Sequence, residues 1–452
     1  MRDKPVENLI VGAGLVGAVT ARTLARHGQR GVLVERNADP GGVNGSFADD
    51  RGNWFDHGRH VISDGRSAFT TEFVTEVLRG RVRRFDLKRG LVVRGHLIPY
   101  AAELPDWPEA LRERVRLDPG ARVGLGSSRE AFARAYGRWF ADLAFDEMMA
   151  AYPVLTWHRE RGVPEAHLMR WIFPWFFPRS EAEAPPDAGD RAGVYSEESR
   201  RYHYDCRHAN PPRESVMYPE EGGFGRLVEA MLEDGREGFD LHLGAEDIDI
   251  DIDPESLAVR SVSTGGIRYR PGRVFWCAPL PVLCRYLGWT LPAGEPQWEL
   301  LGSFTFERPV DRGLHEVLFA DPDHPVRRIN FPGLIAGGSD SHTLQVEYTT
   351  VGDEARLGAD EWRSRWLTSL RKLGFVDAGA EPVFFDFKRV SRGVVSTEDL
   401  GAFLAGCEER IHGASGNLVA PHLAVASDNN ARLIPKVHGR VERALGTRPS
   451  AS

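Results

Sequence analysis

The first forty residues carry the strongest constraint on the fold. A short apolar run, Asn8 to Val11, leads directly into the pattern G-x-G-x-x-G at residues 12–17. A helical pattern follows over Leu15 to His27, and a second apolar run ends immediately before Glu35. A strand, a glycine-rich turn, a helix and a second strand in this order predict a Rossmann-type unit that binds a dinucleotide.

Each position of the turn has a physical task. Gly12 allows the tight turn, Gly14 lets the backbone approach a pyrophosphate, and Gly17 lets the helix pack closely against the strand. The helix N-terminus at Leu15 and Val16 offers unpaired N–H groups and the positive end of a dipole. We therefore predict that these five residues hold the phosphates of the cofactor.

The residues after the second strand extend the cofactor site. Eighteen positions separate Gly17 from Glu35, close to the spacing of about 20 at which an acidic side chain meets the adenosine ribose. Arg36 follows, and a second glycine pair comes at Gly41 and Gly42. A second pair near the pyrophosphate suits the longer, extended FAD molecule.

Composition limits the class of protein. The 452 residues carry a formal charge of −8, with 42% hydrophobic and 27% charged residues, as in soluble globular proteins. No apolar run reaches the length of about 18 residues that a membrane span requires. An acidic chain is not an obvious nucleic-acid binder. The expected first strand leaves no room for a signal peptide, and the four cysteines have no framework spacing, so we expect reduced thiols and a cytoplasmic location.

The segment Asp56 to Val61, which reads D-H-G-R-H-V, adds a family resemblance. Together with the N-terminal pattern it resembles the FAD-binding region of the amine oxidase, protoporphyrinogen oxidase and UDP-galactopyranose mutase group. In that group a D-x-G-x-H segment runs past the flavin ring. The resemblance implies FAD as the cofactor, and no cysteine has a placement that suggests a covalent flavin link.

The resemblance continues along the chain. Tyr218 to Val228 looks like the segment where the chain returns to the FAD domain and starts a helix. The backbone near Asp247 and Ile248 is implied to meet the adenine. A helix N-terminus near the end of the chain is implied to close over the flavin pyrimidine through three residues, Asn429, Asn430 and Ala431.

These segments predict an α/β fold, a Rossmann-type FAD-binding domain with an inserted α+β substrate domain. We expect the FAD-binding domain to comprise residues 1–85, 213–288 and 386–452. The substrate domain then comprises a helix-rich part, residues 86–212, and a part made of strands, residues 289–385.

Two periodic segments give sharper local expectations. Helical spacing of aromatic residues predicts one helix over Ala131 to Ala151. Strict alternation of isoleucine and aspartate predicts one strand over Leu241 to Asp253 with an acidic, solvated face. A calcium loop is excluded there because position 6 of an EF-hand needs glycine. His203, Cys206 and His208 lack a fourth ligand of suitable spacing, so we expect no metal.

The decapeptide Met169 to Pro178 is strongly apolar and aromatic, and three interpretations stay open. It packs in the core or at a homodimer interface, or it lines a substrate channel, which makes Trp175 a substrate-binding candidate. The third interpretation is a membrane-surface patch. Its prolines and the absence of a basic helix weigh against that one.

Arg59 and His60 are the catalytic candidates. Arg59 could bind a substrate carboxylate bidentately, and His60 could act as a base near neutral pH; a role in supporting the loop is the alternative. By resemblance, Arg328 is the one arginine retained from the diphosphate clamp of the mutase. Gly302 and His422 stand where the mutase has clamp arginines.

The sequence thus predicts an FAD-dependent oxidoreductase that transfers a hydride from a small polar substrate to flavin N5, with noncovalent FAD. The first alternative is a UDP-galactopyranose mutase-like isomerase that acts on a sugar or nucleotide sugar with reduced FAD. A non-catalytic flavin-binding structural protein is a third class. A small-molecule substrate is the expected partner, without nucleic acid or membrane.

Overall fold

The protein is described by a computed structural model. The described residues are 1–100, 102–118, 120–124, 127–169, 178–180, 197–209, 212–396, 400–414, 416–422 and 430–446. Within these ranges, no helix is both long and apolar enough to cross a membrane.

The strands are numbered in chain order. They are β1 (Arg2–Val11), β2 (Gly31–Val34), β3 (Ser46–Ala48), β4 (Trp54–Asp56), β5 (Ile62–Ser63), β6 (Val82–Asp86), β7 (Arg89–Val93), β8 (His96–Pro99), β9 (Ser215–Pro219), β10 (Phe239–His242), β11 (Asp249–Ile252), β12 (Val259–Thr264), β13 (Ile267–Trp276), β14 (Glu295–Thr305), β15 (Glu316–Phe319), β16 (Arg328–Asn330), β17 (Thr343–Val351), β18 (Phe384–Val395) and β19 (Leu418–Val419).

The helices are numbered in the same way. They are α1 (Leu15–Arg26), α2 (Ala68–Val77), α3 (Glu109–Arg112), α4 (Arg129–Tyr136), α5 (Arg138–Asp142), α6 (Pro153–Glu160), α7 (Glu165–Leu168), α8 (Glu197–His208), α9 (Gly225–Gly235), α10 (Leu280–Leu287), α11 (Pro332–Ile335), α12 (Ala359–Lys372), α13 (Leu400–Gly413) and α14 (Asn430–Ala444).

The first sheet has the order β10-β2-β1-β13-β12-β11, and β19 also pairs with β13. Strands β10, β2, β1, β13 and β19 run parallel to one another. Strand β12 pairs antiparallel with both β13 and β11. Helices α1, α2, α9 and α14 contribute to the apolar layer on one face, and α10 and α13 contribute to the layer on the other. Parallel strands covered on both faces confirm the predicted Rossmann-type domain.

The second sheet has the order β18-β14-β17-β16-β15-β7-β8. Its pairs are antiparallel except for β15 and β7, which run parallel. Strands β7 and β8 come from the predicted helix-rich part and join strands from residues 295–395. This mixed sheet with helices confirms the predicted α+β substrate domain, while its exact boundaries stay predictions.

The two faces of the second sheet differ in chemistry. One face packs against Trp362 and Trp366 of α12 in an apolar cluster. Because side chains alternate along a strand, the opposite face carries the buried polar residues Glu299, Ser303, Asn330, Gln345 and Glu347. Gln345 Nε2 donates to the backbone oxygen of Asp56 at 2.8 Å. The polar face therefore lies against the loop that follows β4, hereafter called the Arg59 loop (residues 57–61).

The single strand predicted over Leu241 to Asp253 is wrong. Strand β10 ends at His242 and pairs with β2, whereas β11 begins at Asp249 and pairs with β12. Gly244 between them has a φ of 69°, in the left-handed region that interrupts a strand. The side chains of Asp247, Asp249 and Asp251 are exposed, as predicted for a solvated acidic face.

The helix predicted over Ala131 to Ala151 is present but interrupted. Gly137 has a φ of 87° and ends α4, and the chain restarts as α5. A π-helical turn, Leu143–Met148, follows directly. Phe132, Tyr136 and Phe140 are nevertheless buried in one cluster. The apolar spacing therefore predicted the buried face but not the break.

Candidate functional site

The glycine-rich turn between β1 and α1 has the geometry that a dinucleotide needs. Gly12 has a φ of 104°. A Cβ atom at Gly17 would lie 1.9 Å from Gly12 O, so this helix position cannot carry a side chain. At Gly14, by contrast, the nearest atom to a Cβ would be Gly41 O at 3.7 Å. The space beside Gly14 is open, as the approach of a phosphate requires.

The N-terminus of α1 is prepared for an anion. No side chain caps it, and its first turn, which includes Leu15 and Val16, holds no acidic residue. The N–H groups of that turn have no acceptor within the helix because they precede its first full turn. They are thus suited to donate hydrogen bonds to a phosphate, which the helix dipole also attracts.

Glu35 follows β2 and places its carboxylate beside the turn. Its Oε2 accepts the N–H of Ala13 at 2.8 Å, and its Oε1 accepts the N–H of Asn37 at 2.8 Å. Each oxygen retains a second lone pair. The carboxylate is therefore held in place and can still accept from a ribose hydroxyl. Arg36 is exposed to solvent next to it.

Asp247 and Ile248 lie in the loop between β10 and β11, and this loop borders Glu35. The N–H of Ala245 donates to Glu35 O at 2.9 Å. Asp247 accepts from Thr264 Oγ1 at 2.7 Å, and Ile248 O accepts from the Tyr286 hydroxyl at 3.1 Å. The structure thus brings the proposed adenine contacts next to the proposed ribose contact, although 200 residues separate them.

The second glycine pair closes over the first turn. Gly41 and Gly14 form a β-bridge, and Gly41 N donates to Ala13 O at 2.9 Å. Gly41 has a φ of 112°, and a Cβ there would lie 2.6 Å from Gly45 Cα. Gly42 is exposed beside Gly14. The residues present therefore fit the diphosphate of a dinucleotide beside the two glycine turns.

The N-terminus of α14 lies near the Arg59 loop. Ala431 is buried, and its backbone oxygen accepts from Thr70 Oγ1 at 2.5 Å. Helix α14, which begins at Asn430, packs against α1, α2 and β5, and β5 directly follows the Arg59 loop. The predicted contacts Asn429 and Trp175 lie outside the described residues.

Arg59 enters a buried network of charges that joins the two domains. Its Nε lies 2.7 Å from Glu316 Oε2, and its backbone N–H donates to Glu347 Oε1 at 2.5 Å. Arg89 forms ion pairs with both Glu316 and Glu214. Strands β7, β15 and β17 supply three of these partners, so the substrate sheet fixes the position of the Arg59 loop.

Arg328 belongs to the same network. It forms an ion pair with Glu347, with an Nε–Oε2 distance of 3.0 Å. The amide of Asn330 reaches Glu347 Oε1 at 3.4 Å. Glu347 is thus shared between Arg328 and the backbone of Arg59. The structure brings together two residues that sequence analysis selected separately.

The electrostatics of the network favour the ionised form of its two carboxylates, Glu316 and Glu347. Burial alone would raise the pKa of Glu316, but the guanidinium groups of Arg59, Arg89 and Arg328 outweigh burial and hold it at about 2. Burial likewise opposes ionisation of Glu347, yet Arg328 and Arg327 keep its pKa below the ordinary value. Charges buried in this way persist because each one has a partner.

His60 is engaged at both ring nitrogens. Its Nε2 lies 2.7 Å from Val43 O, and because a carbonyl only accepts, Nε2 carries the proton. Nδ1 lies 3.4 Å from the amide nitrogen of Asn44. Burial lowers the pKa of His60 to about 4, against a smaller opposing effect of Glu347. His60 is therefore neutral at pH 7, with Nδ1 as the atom that could accept a proton.

Most residues of the network were not predicted from the sequence. Glu316, Arg89 and Glu214 were not selected, and Lys388, whose ammonium contacts His57, was not selected either. The available signal was a charged residue inside an otherwise apolar strand, as in the runs R-G-L-V-V, E-V-L-F and L-Q-V-E-Y. A buried charge at such a position indicates a partner on a neighbouring strand.

Comparison with known sequences supports the dinucleotide unit. A family model described as an NAD(P)-binding Rossmann-like domain matches residues 10–77. Two 15-cis-phytoene desaturases are similar over 183 aligned residues, at 41% identity for Capsicum annuum and 27% for Solanum lycopersicum. Each match covers 36% of this chain and 28% of the relative.

Comparison with solved structures extends over nearly the whole chain. Reduced UDP-galactopyranose mutase gives a TM-score of 0.66 at 15% identity, covering 98% of this chain and 96% of that one. A candidate protoporphyrinogen oxidase of Exiguobacterium sp. 255-15 gives 0.62 at 13% identity, with 98% and 99% covered. Putrescine oxidase bound to putrescine gives 0.54 at 14% identity, with 98% and 99% covered. The chain therefore has the fold of the flavoproteins that include this mutase, protoporphyrinogen oxidase and the amine oxidases.

Proposed function

We propose that this protein is an FAD-dependent oxidoreductase that transfers a hydride from a small polar substrate to flavin N5. The two glycine turns, the α1 N-terminus and Glu35 support FAD binding, as argued above. Bound FAD would supply the hydride acceptor, while the chain positions and polarises the substrate. Noncovalent attachment, a cytoplasmic location and a small-molecule partner are parts of this proposal.

The observation that carries the substrate class is the polar, charged face of the second sheet against the Arg59 loop. Buried guanidinium and carboxylate groups are costly beside an apolar ligand, because they need hydrogen-bonding partners. Within the described residues, Arg59 Nη2 is buried without a hydrogen-bond partner, whereas Arg59 Nε faces Glu316 Oε2 at 2.7 Å. A polar substrate could satisfy Nη2, whereas a hydrocarbon could not.

Each candidate residue then has a defined task. Arg59 binds an anionic or hydrogen-bonding group of the substrate and is oriented by Glu316 and the Glu347 carboxylate. Arg328 is fixed by Glu347 and adds positive potential on the same face. His60 has only Nδ1 free of Val43 O, and its pKa of about 4 makes it a weak base at neutral pH, so its task is to support the Arg59 loop, the alternative that the sequence left open.

The test begins with the purified full-length chain. We expect a yellow protein whose denaturation releases FAD, identified by chromatography of the supernatant. Anaerobic mixing with a panel of amines, amino acids and hydroxy acids should bleach the visible flavin band with one substrate class. A colourless protein that binds no added FAD would refute the proposal.

The mutase-like alternative, an isomerase that acts on a sugar or nucleotide sugar with reduced FAD, is supported by the extent of the match with the mutase structure. One feature opposes it. Gly302, which stands in a clamp-arginine position by sequence, faces the core, and a Cβ there would lie 2.4 Å from the Trp366 ring. An arginine could not occupy this site. Isomerisation of a nucleotide sugar by the dithionite-reduced protein, without net oxidation, would favour the mutase over the oxidoreductase.

A further inference from the structure

Lys388 on β18 reaches across from the second sheet to the first domain. Its Nζ lies 2.6 Å from His57 Nε2 and 4.7 Å from the centre of the Phe47 ring. Phe47 belongs to β3, and His57 directly follows β4. An ammonium group of the second sheet therefore contacts the β-hairpin that follows the second glycine pair.

The proton on His57 can be assigned from its contacts. His57 Nδ1 lies 2.9 Å from Gly42 O, and since a carbonyl only accepts, Nδ1 is the donor. Nε2 then carries a lone pair and accepts from the Lys388 ammonium. Burial, more than any other factor, lowers the pKa of His57, and Lys388 adds to the effect. The ring is neutral and cannot balance the charge of Lys388.

The described residues balance that charge only in part. None of their carboxylates lies within ion-pair distance of Lys388 Nζ. Asp386 and Asp39 act only from farther away, and burial lowers the pKa of Lys388. The ammonium therefore has a neutral ring and an aromatic face as neighbours, which leaves its positive charge available to an anion.

The position of Lys388 near the glycine turns indicates which anion it could bind. His57 is bonded to Gly42, and a Cβ at Gly42 would lie 3.7 Å from Gly14 Cα. The imidazole ring of His57 therefore lies between Lys388 Nζ and the second glycine pair, which itself lies against Gly14. We propose that Lys388 binds the diphosphate of FAD, so that the second sheet helps to retain the cofactor at the glycine turns of the first.

This assignment rests on the proposed FAD binding and supplies a cation beside the glycine turns, in addition to the exposed Arg36. The first turn of α1 reads Leu15, Val16, Gly17, Ala18 and contains no basic side chain. Val43, which follows the second glycine pair, is an exposed apolar residue. A diphosphate held only by backbone N–H groups would keep much of its charge uncompensated, and Lys388 provides the compensating cation.

The experiment compares Lys388→Met with wild type and with Lys372→Met, a control on the exposed side of α12. Apoprotein of each is titrated with FAD, and ADP is measured by competition against FAD. ADP carries the diphosphate without the flavin. We expect Lys388→Met to weaken both ligands roughly ten- to hundredfold, the worth of a hydrogen bond to a charged group. Lys372→Met should bind as wild type does.

Three results separate the possibilities. Unchanged FAD affinity in Lys388→Met, with wild type still binding FAD, overturns the inference and leaves the proposed function intact. Weakened FAD with unchanged ADP also overturns it, because the ammonium would then face the flavin half. Failure of wild type to bind FAD refutes the proposed function itself. Lys388→Arg, which keeps the charge, should recover most of the affinity if Lys388→Met folds poorly.

Discussion

Arg59 Nε and Glu316 Oε2 lie 2.7 Å apart and join the Arg59 loop of the first domain to β15 of the second. The side chain of Glu316 is 2% exposed and that of Arg59 is 14% exposed. Glu316 also pairs with Arg89, so it has two guanidinium partners. The pair thus connects a candidate substrate-binding residue to the structural core of the other domain.

Replacing Arg59 should therefore affect stability as well as substrate handling. We expect Arg59→Met to lower the free energy of unfolding by roughly 1–3 kcal/mol. This loss is smaller than the roughly 3–5 kcal/mol that follows when a buried charge is left without any partner, because Arg89 still neutralises Glu316. Urea unfolding measures the loss. In a double-mutant cycle, Glu316→Gln should make the Arg59 replacement less costly. Additive effects in this cycle would show that the pair does not form in solution.

Two alanine substitutions in the first turn should have opposite consequences. Gly14→Ala places a Cβ no closer than 3.7 Å to another atom, so the apoprotein should unfold as wild type does while FAD binding weakens. Gly17→Ala places a Cβ 1.9 Å from Gly12 O and should destabilise the apoprotein by roughly 1–3 kcal/mol or more. Thermal denaturation and FAD titration of both variants check this. Equal FAD affinity in Gly14→Ala and wild type would place the phosphates elsewhere.

His60 should make the protein sensitive to acid. Its pKa is about 4 in the folded state, against an ordinary value of 6.5, chiefly because it is buried. Between these values the unfolded chain binds more protons at this residue, so stability rises with pH and is lost as pH falls from 6.5 towards 4. The expected contribution is about 1–3 kcal/mol.

Urea unfolding across this pH range tests the effect. His60→Gln should lose less stability on acidification than wild type. His96→Gln, at an exposed histidine of β8, is the matched control and should behave as wild type does. An identical pH dependence in all three proteins would mean that His60 titrates normally in the folded state.

Cys277 is only partly buried, but the raised pKa of its thiol should make it resist alkylation in the folded protein. Burial raises the pKa of its thiol to about 12, and the nearby Thr20 hydroxyl, 3.6 Å from Sγ, opposes this only weakly. Since the thiolate is the reactive form, iodoacetamide at mildly alkaline pH should leave Cys277 unmodified until the chain is denatured. Peptide mass mapping before and after denaturation measures the modification. Labelling of the folded protein at the rate of a free thiol would contradict the assigned environment.

The N-terminal unit was predictable because its signals are local. The strand, the turn and the helix from Asn8 to Arg26 each follow from neighbouring residues, and the position of Glu35 follows from the length of one helix. The same locality explains the error over Leu241 to Asp253. The apolar positions are odd-numbered up to Ala245 and even-numbered from Ile248, so the alternation changes phase there, and the left-handed backbone at Gly244 redirects the chain to a different strand partner.

The charge network could not be predicted because its members are distant in sequence. Arg89 and Glu316 are 227 positions apart, and Arg59 and Glu347 are 288 positions apart. Each residue alone is a charged side chain next to apolar neighbours. Only the registers of β7, β15, β16 and β17 bring them to one face. The sequence resemblance selected Arg59 and Arg328 but not the carboxylates that hold them.

The pairing of β19 with β13 has a consequence for the order of events during synthesis. Strands β1 and β2 and helix α1 leave the ribosome first, but β19 and α14, which complete their sheet and cover α1, come about 400 residues later. At roughly 5–20 residues per second this delay is on the order of 20–80 s. During that time the nascent βαβ unit presents an incomplete apolar surface. The sheet of this unit is consequently completed late in synthesis. In a chain that ends before Leu418, Val274 and Phe275 of β13 have no strand neighbour on one side.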